Sequence, residues 1–200
     1  MLCRFERTRV VATGVAVVGM LLAATGAWAE QRNMAGYVGL GAGVAVDVSD
    51  DVPDMPIGPT IDLRAGLIVQ PFGLELQTQY GWQEIESDSI HTLFSSVNMM
   101  YTPFYHFEFD DDSLVGRFEP YVLAGAGIGW GRGEGGAFDI DGKGVGRFWR
   151  FGGGSAFRFS DLFDLDCRVE YVLSPRGSID GLDRLQATVG FRYILGGGDD

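Results

Sequence analysis

The sequence predicts an all-β protein: an eight-stranded antiparallel up-and-down transmembrane β-barrel that follows an N-terminal signal peptide. Three observations carry this prediction. The chain opens with a basic and then apolar segment of the kind that signal peptidases remove. Eight later segments alternate apolar and polar residues, a period that places successive side chains on opposite faces of a strand. No later apolar run has the length of a membrane-spanning helix.

Residues 1–29 form the predicted signal peptide. Three arginines precede an apolar stretch over 10–24, and small residues at 27–29 suit the peptidase, so cleavage is expected before Glu30. A membrane anchor helix is the weaker alternative, because the apolar stretch is short for a span. Residues 30–200 are then long enough for one domain, the barrel.

Composition narrows the class of protein. The chain has 15 basic and 27 acidic residues, a net charge of −12, which makes nucleic acid an improbable partner. Lys143 is its only lysine, whereas a soluble protein of this size normally scatters lysines over its surface. Cys167 is the only cysteine beyond the leader, so no disulfide within the chain is expected. Much of the exterior is therefore predicted to face something other than water.

The alternating segments define the strands in order. They lie at 36–46, 60–70, 73–83, 91–101, 121–130, 146–159, 163–173 and 184–195. Their connections alternate in length, as they do in membrane barrels. Tight turns at 70–73 and 160–163 interleave with loops at 47–59, 131–145 and 174–183, while 84–89 and 102–117 depart from the rule.

Glycine alternates with larger residues in two of the strands, in GLGAG at 39–43 and in GAGIG at 125–129. One strand face is thus nearly bare in each. The sequence GRGEGG at 131–136 also fits the GxGxxG pattern, but no helical period follows it to hold a nucleotide phosphate. The bare faces are better explained as the inner wall of a narrow barrel, where glycine leaves room for long side chains on neighbouring strands.

Alternation alone leaves two barrels open, a soluble lipocalin-type barrel and a membrane barrel. The polar faces contain glycine, serine, glutamine and arginine more than lysine and glutamate, which suits a narrow interior. Aromatic residues also sit near strand ends, as interfacial belts require. These residues are Trp82, Tyr101, Trp130, Trp149, Phe159 and Tyr193. Together with the connection lengths, they favour the membrane barrel.

These features resemble the small outer-membrane β-barrel proteins of Gram-negative bacteria, the OmpA-like and opacity-like surface proteins of the porin-family type. The resemblance rests on the leader, the eight strands, the sequence PYVLAGAGIG at 120–129 and the terminal strand at 188–195. It implies insertion in the outer membrane, with Gly190, Tyr193 and Leu195 as a signal read by the barrel assembly machinery. Members usually end on Phe or Trp, whereas here Leu195 is followed by GGGDD.

An eight-strand barrel is just wide enough to be filled by side chains. The charged residues predicted to face inward are Arg64, Glu75, Arg150, Arg158, Asp164, Asp166, Arg168, Glu170 and Arg192. Because an unpaired buried charge is costly, these residues should pair. Antiparallel pairing that keeps inward residues opposite inward residues predicts an Arg158–Asp164–Arg192 cluster at the periplasmic end. It also sets Gly152 and Gly154 beside Glu170 and Arg168, so that bulk at Gly154 should crowd Arg168.

The predicted function is a non-enzymatic barrel with a filled interior, monomeric or weakly associated, which acts structurally or through its outer loops. The alternatives are a narrow pore for small solutes and a lipid A-modifying enzyme. Barrels related to the lipid A deacylases carry His-x-Ser facing the outer leaflet. Here His91 is followed by Thr92 and Leu93, so no catalytic residues are predicted.

We expect no cofactor. Asp50, Asp51, Asp139 and Asp141 are weak candidates for binding Ca²⁺ or Mg²⁺ through carboxylate oxygens, and solvated acidic loops are the favoured interpretation. The expected partners are outer-membrane lipid and lipopolysaccharide, the assembly machinery, and a host or surface ligand at the outer loops.

Overall fold

The fold is a closed barrel of eight antiparallel strands in chain order. A computed structural model describes residues 34–48, 57–85, 88–103, 118–134, 144–160, 162–174 and 183–195. The predicted signal peptide lies outside these residues. The strands are β1 (Met34–Asp47), β2 (Ile57–Val69), β3 (Phe72–Ile85), β4 (Asp88–Tyr101), β5 (Phe118–Glu134), β6 (Gly144–Ser160), β7 (Phe163–Leu173) and β8 (Arg184–Leu195).

The first and last strands close the barrel. β1 pairs with β8 from Gly36 opposite Leu195 to Asp47 opposite Arg184. The predicted strand order and antiparallel pairing are thereby confirmed. Full closure leaves no sheet edge, which a barrel in lipid requires because no water is there to satisfy edge amides.

The connections define two ends. The turn end carries the tight turns at 70–71 and 161–162 and the segment 104–117. The loop end carries the segments 49–56, 86–87, 135–143 and 175–182. The strands reach further into the predicted glycine-rich loop than expected, because β5 continues to Glu134 and Gly131 pairs with Gly144. Glycine in a sequence usually indicates a turn, but in this barrel several glycines lie within the strands.

The two faces of each strand differ sharply. In β8 the described residues alternate strictly between buried and exposed positions from Arg184 to Ile194. The outer positions carry large apolar side chains, among them Leu40, Ile57 and Val145, each more than 60% exposed. Such a continuous apolar exterior is expected of a surface that faces hydrocarbon.

Few polar side chains interrupt the outer face. At the described outward positions of the strands they are Thr78, Ser89, His91, Ser95, Arg147, Ser155, Ser160 and Cys167, apart from tyrosine and tryptophan. Four of these eight belong to the β3–β4 pair, so half of the polar outer positions lie on one side of the barrel.

Candidate functional site

The inner face holds the charged residues. Of the nine charges predicted to face inward, the structure places eight in the interior, each no more than 2% exposed: Arg64, Glu75, Arg150, Asp164, Asp166, Arg168, Glu170 and Arg192. Arg158 shares the inner face with its register partner Asp164, but its side chain is 45% exposed rather than buried. Arg158 lies two residues from the end of β6, where the barrel opens at the turn end.

Arg168 is the centre of a charge network in the barrel. Its guanidinium makes a bidentate pair with Glu75, with Nη1 2.9 Å from Oε1 and Nη2 3.0 Å from Oε2. It also donates to Asp166 at 2.8 Å and to Glu170 at 3.3 Å. Planar two-point pairing of this kind is the strongest geometry for an arginine and a carboxylate. One cation therefore holds three carboxylates contributed by β3 and β7.

Three further arginines join the network from other strands, and one of them, Arg192 of β8, donates to Asp166 at 2.6 Å. Arg64 of β2 donates to Asp166, to Asp62 at 2.7 Å and to the hydroxyl of Thr188 at 2.8 Å. Arg150 of β6 donates to Glu170 at 3.1 Å. The network thus ties opposite walls of the barrel together, and its members are almost entirely removed from water.

A layer of aromatic side chains lies toward the turn end. The guanidinium of Arg192 sits between two tyrosines, 5.0 Å from the ring of Tyr37 and 4.9 Å from the ring of Tyr121. Each tyrosine donates to a network carboxylate: Tyr37 to Glu75 at 2.5 Å and Tyr121 to Asp166 at 2.7 Å. Cation–π contact and hydrogen bonding therefore fix these rings in place.

A second apolar layer lies toward the loop end. Phe94 and Phe148 meet edge to face, with ring centroids 5.1 Å apart, and Val172 completes the cluster. Arg184, beside this layer, donates to Thr92 at 2.6 Å and Gln83 at 2.9 Å. The charge network is consequently enclosed between apolar layers on both sides.

Sequence reasoning missed the two inner tyrosines. A usable signal was present, because Tyr37 shares strand parity with the glycines at 39–43, and Tyr121 with those at 125–129. This parity assigns both tyrosines to the bare inner face. Two glycines leave space for these rings. A Cβ at Gly66 would lie 2.4 Å from the ring of Tyr37, and a Cβ at Gly154 would lie 2.6 Å from the hydroxyl of Tyr121.

The register predictions for β6 and β7 are confirmed, since Gly152 pairs with Glu170 and Gly154 with Arg168. A Cβ at Gly154 would first meet the carbonyl oxygen of Cys167 and the ring of Tyr121, which lie closer than any atom of Arg168. The guanidinium of Arg168 points toward Glu75.

The predicted cluster at the turn end forms only in part. Arg158 donates to Asp164 at 3.2 Å, and Asp164 faces inward. Asp164 stands opposite Arg192 in the register, but the guanidinium of Arg192 donates to Asp166 at 2.6 Å. The long side chain follows the barrel axis toward the network, where two tyrosines and a carboxylate stabilise its charge.

A polar group also lies on the outer face, at the loop end of β3 and β4. Nδ1 of His91 is 2.7 Å from the hydroxyl of Tyr80, and Nε2 is 3.4 Å from the hydroxyl of Ser89. Trp82 flanks Tyr80 with ring centroids 6.0 Å apart. No serine lies two residues after His91, but Ser89, two residues before it, contacts its ring because residues two apart share a strand face.

The residues of the expected assembly signal occupy both faces of β8. Gly190 faces inward, where a Cβ would lie 2.5 Å from the carbonyl oxygen of Leu40. Tyr193 and Leu195 face outward, and Tyr193 packs against Phe163 with ring centroids 5.2 Å apart. Close packing of β8 against β1 therefore requires glycine at this position.

The four aspartates considered for metal binding, Asp50, Asp51, Asp139 and Asp141, lie outside the described residues. Within the described ranges no group of three or more potential ligands could hold a metal ion. The same part of the chain contains no helix with the length and apolar character needed to cross a membrane.

Known proteins share this architecture. Residues 14–194 match the family described as outer membrane protein beta-barrel domain. The solved structure of neisserial surface protein A superposes with a TM-score of 0.64 at 16% identity, covering 80% of this chain and 97% of that one. Ail, the attachment invasion locus protein of Yersinia pestis, gives 0.51 at 14% identity, covering 82% and 100%. The N-terminal barrel of Pseudomonas aeruginosa OprF gives 0.50 at 15%, covering 82% and 98%. No curated protein sequence matches the chain.

Proposed function

Because the chain belongs to the outer membrane protein beta-barrel family, and so to the outer membrane of a Gram-negative bacterium, we propose that it is a non-enzymatic surface barrel. Its lumen is closed to solutes and its specific contacts are made by the loop end. In this proposal the loop end faces outward and the turn end faces the periplasm. The short turns support that orientation, because periplasmic connections in such barrels are short.

The filled lumen carries the proposal. Inward side chains of β2, β3, β6, β7 and β8 meet in one network around Arg168, and apolar layers lie on either side of it. A cavity of about 10 Å³ beside Tyr121 and Arg192 is about the size that one water molecule needs. A solute path would have to break several buried ion pairs at once, which argues against the narrow pore.

The loops are the remaining surface for specific contacts. The acidic segment 47–59 and the glycine-rich segment 131–144 follow strands whose ends the barrel holds in place, and their central parts lie outside the described residues. Loops on a rigid scaffold tolerate variation and often carry binding. The surplus of acidic residues in the chain favours cationic partners.

The test compares the full mature chain with a variant in which residues 49–56 and 135–143 are both deleted, each protein folded into planar bilayers and vesicles. We expect no large steady conductance from either protein. We also expect the full chain to bind poly-L-lysine in a salt-sensitive manner, and the shortened chain to bind it several-fold more weakly.

Two outcomes would overturn the proposal. Large, stable channels present in both proteins would establish a pore. A change in the mass of lipid A on expression of the full chain, absent in an empty-vector control, would establish an enzyme.

A further inference from the structure

The two residues where β8 begins have partners in or next to four other strands near the loop end. Asp183 directly precedes β8, and Arg184 is its first residue. Neighbouring residues of an extended chain point to opposite faces of the sheet. Asp183 accordingly contacts the ends of adjacent strands, whereas Arg184, 2% exposed, lies inside the barrel.

Asp183 joins the loop ends of β7 and β1. One carboxylate oxygen accepts a hydrogen bond from the backbone N–H of Ser174 at 2.9 Å, and the other accepts from the hydroxyl of Tyr171 at 3.1 Å. The main-chain carbonyl oxygen of Asp183 accepts from the N–H of Val48 at 2.8 Å. Ser174 and Asp183 flank one loop-end connection, and Val48 directly precedes another. A single residue therefore fixes where two connections leave the barrel.

Arg184 ties the same point of the chain to the opposite wall. Its guanidinium donates to the hydroxyl of Thr92 at 2.6 Å and to the side-chain oxygen of Gln83 at 2.9 Å. The guanidinium carbon also lies 5.4 Å from the centroid of the Phe94 ring. Gln83 and Thr92 belong to β3 and β4, the strands on either side of a third loop-end connection. The backbone at Asp183 is thus held from both faces of the sheet.

We propose that Asp183 is a positioning residue for the contacts that the loop end makes with a cationic polypeptide. The connection after Val48 carries three aspartates within residues 50–54, whose charge favours such a partner. Strand ends held at a fixed spacing leave less freedom to be lost on binding, which strengthens the complex. Both carboxylate oxygens of Asp183 already accept hydrogen bonds, so the residue acts through the strand ends that it holds. The inference rests on the proposed function, which assigns specific contacts to the loop end.

The experiment compares Asp183→Ala with Asp183→Asn in the full mature chain, folded in an uncharged detergent. Both variants lose the same negative charge. The amide of asparagine still accepts from the N–H of Ser174 and donates to the hydroxyl of Tyr171, whereas alanine does neither. Glu119→Ala is the matched control, because it removes an acid at the turn end, at the start of β5. The measurements are affinity for poly-L-lysine, amide hydrogen exchange at Ser174, and the urea midpoint of unfolding.

We expect Asp183→Ala to bind poly-L-lysine about fivefold more weakly than wild type, the scale set by the loss of one or two hydrogen bonds. Asp183→Asn and Glu119→Ala should bind within about twofold of wild type. The amide of Ser174 should exchange about tenfold faster in the alanine variant alone, because only there is its acceptor missing. A purely structural role would shift the urea midpoint and leave the affinity of the folded protein unchanged.

Equal weakening in the two Asp183 variants would overturn the proposal, since it would mean that Asp183 acts through its charge. Unchanged affinity in folded Asp183→Ala would also overturn it. If wild type does not bind poly-L-lysine at all, the cationic partner in the proposed function is wrong, and hydrogen exchange decides the role of Asp183. Faster exchange at Ser174 in Asp183→Ala alone would then support the positioning role, and equal exchange in all four proteins would refute it.

Discussion

The lumen and the outer group of Tyr80, Ser89 and His91 both contain clustered polar side chains, but they differ in charge and in how far they reach across the barrel. Inside, Arg168 reaches three carboxylates, and two tyrosines donate to Glu75 and Asp166. Outside, Tyr80 and Ser89 contact His91 within one strand pair. The buried network joins strands on opposite sides of the barrel, such as β3 and β7, whereas the outer group joins two neighbouring strands. The comparison separates side chains that hold the barrel together from side chains that lie on one part of its wall.

Removing the centre of the inner network should have the largest effect. Arg168→Met leaves Glu75, Asp166 and Glu170 without their shared cation, and breaking a buried pair on one side costs about 3–5 kcal/mol. We expect the variant to unfold at much lower urea concentration in detergent micelles, or to fail to fold. Arg147→Met is the control, because that exposed side chain lies on the outer face of β6 and should change stability by less than about 1 kcal/mol. Equal midpoints for the two variants would show that the network is not what holds the lumen.

Filling the space beside Tyr121 should have an intermediate effect. In Gly154→Ala the new methyl group would lie 2.5 Å from the carbonyl oxygen of Cys167, a contact that requires the strand to shift. Overpacking of this kind costs about 1–3 kcal/mol. In Gly73→Ala the nearest atom would be 3.4 Å away, so unfolding by urea should change little. If both alanines were tolerated alike, steric exclusion by the inner tyrosines would not explain the glycines.

The hydrogen-bonded pair of Thr78 and Ser95 on the outer face should matter least. Thr78→Val combined with Ser95→Ala replaces both partners of one hydrogen bond with apolar groups, which is close to neutral. We expect the free energy of unfolding, measured by urea titration in detergent micelles, to change by no more than about 0.5 kcal/mol. A single Thr78→Val variant, which leaves Ser95 without this partner, should be the less stable of the two. A large loss in the double variant would mean that this pair contacts something beyond itself.

Strand parity made the strands and the interior charges predictable, because in a barrel the side-chain period of two assigns each residue to one face. Contacts along the barrel axis could not be obtained in the same way. Asp164 stands opposite Arg192 in register, yet that arginine reaches Asp166. Which carboxylate a long side chain meets depends on strand tilt and on the rings beside it, and neither is encoded in parity. The contact between Ser89 and His91 was not predicted for a related reason: a serine two residues before a histidine lies on the same strand face as one two residues after it.

The pairing of β1 with β8 has a consequence for the order of events during folding. Arg64 reaches an acid 102 residues later in the chain, and Arg168 one 93 residues earlier. These charges meet only after distant parts of the sequence have come together, and long-range pairing of this kind is slow. Until the last strand docks on the first, the pairs that join distant strands cannot be completed, although Arg168 can already reach Asp166 and Glu170, two residues away on its own strand. Completion of the network is therefore a late event, which ties the stability of the finished wall to completion of the whole chain.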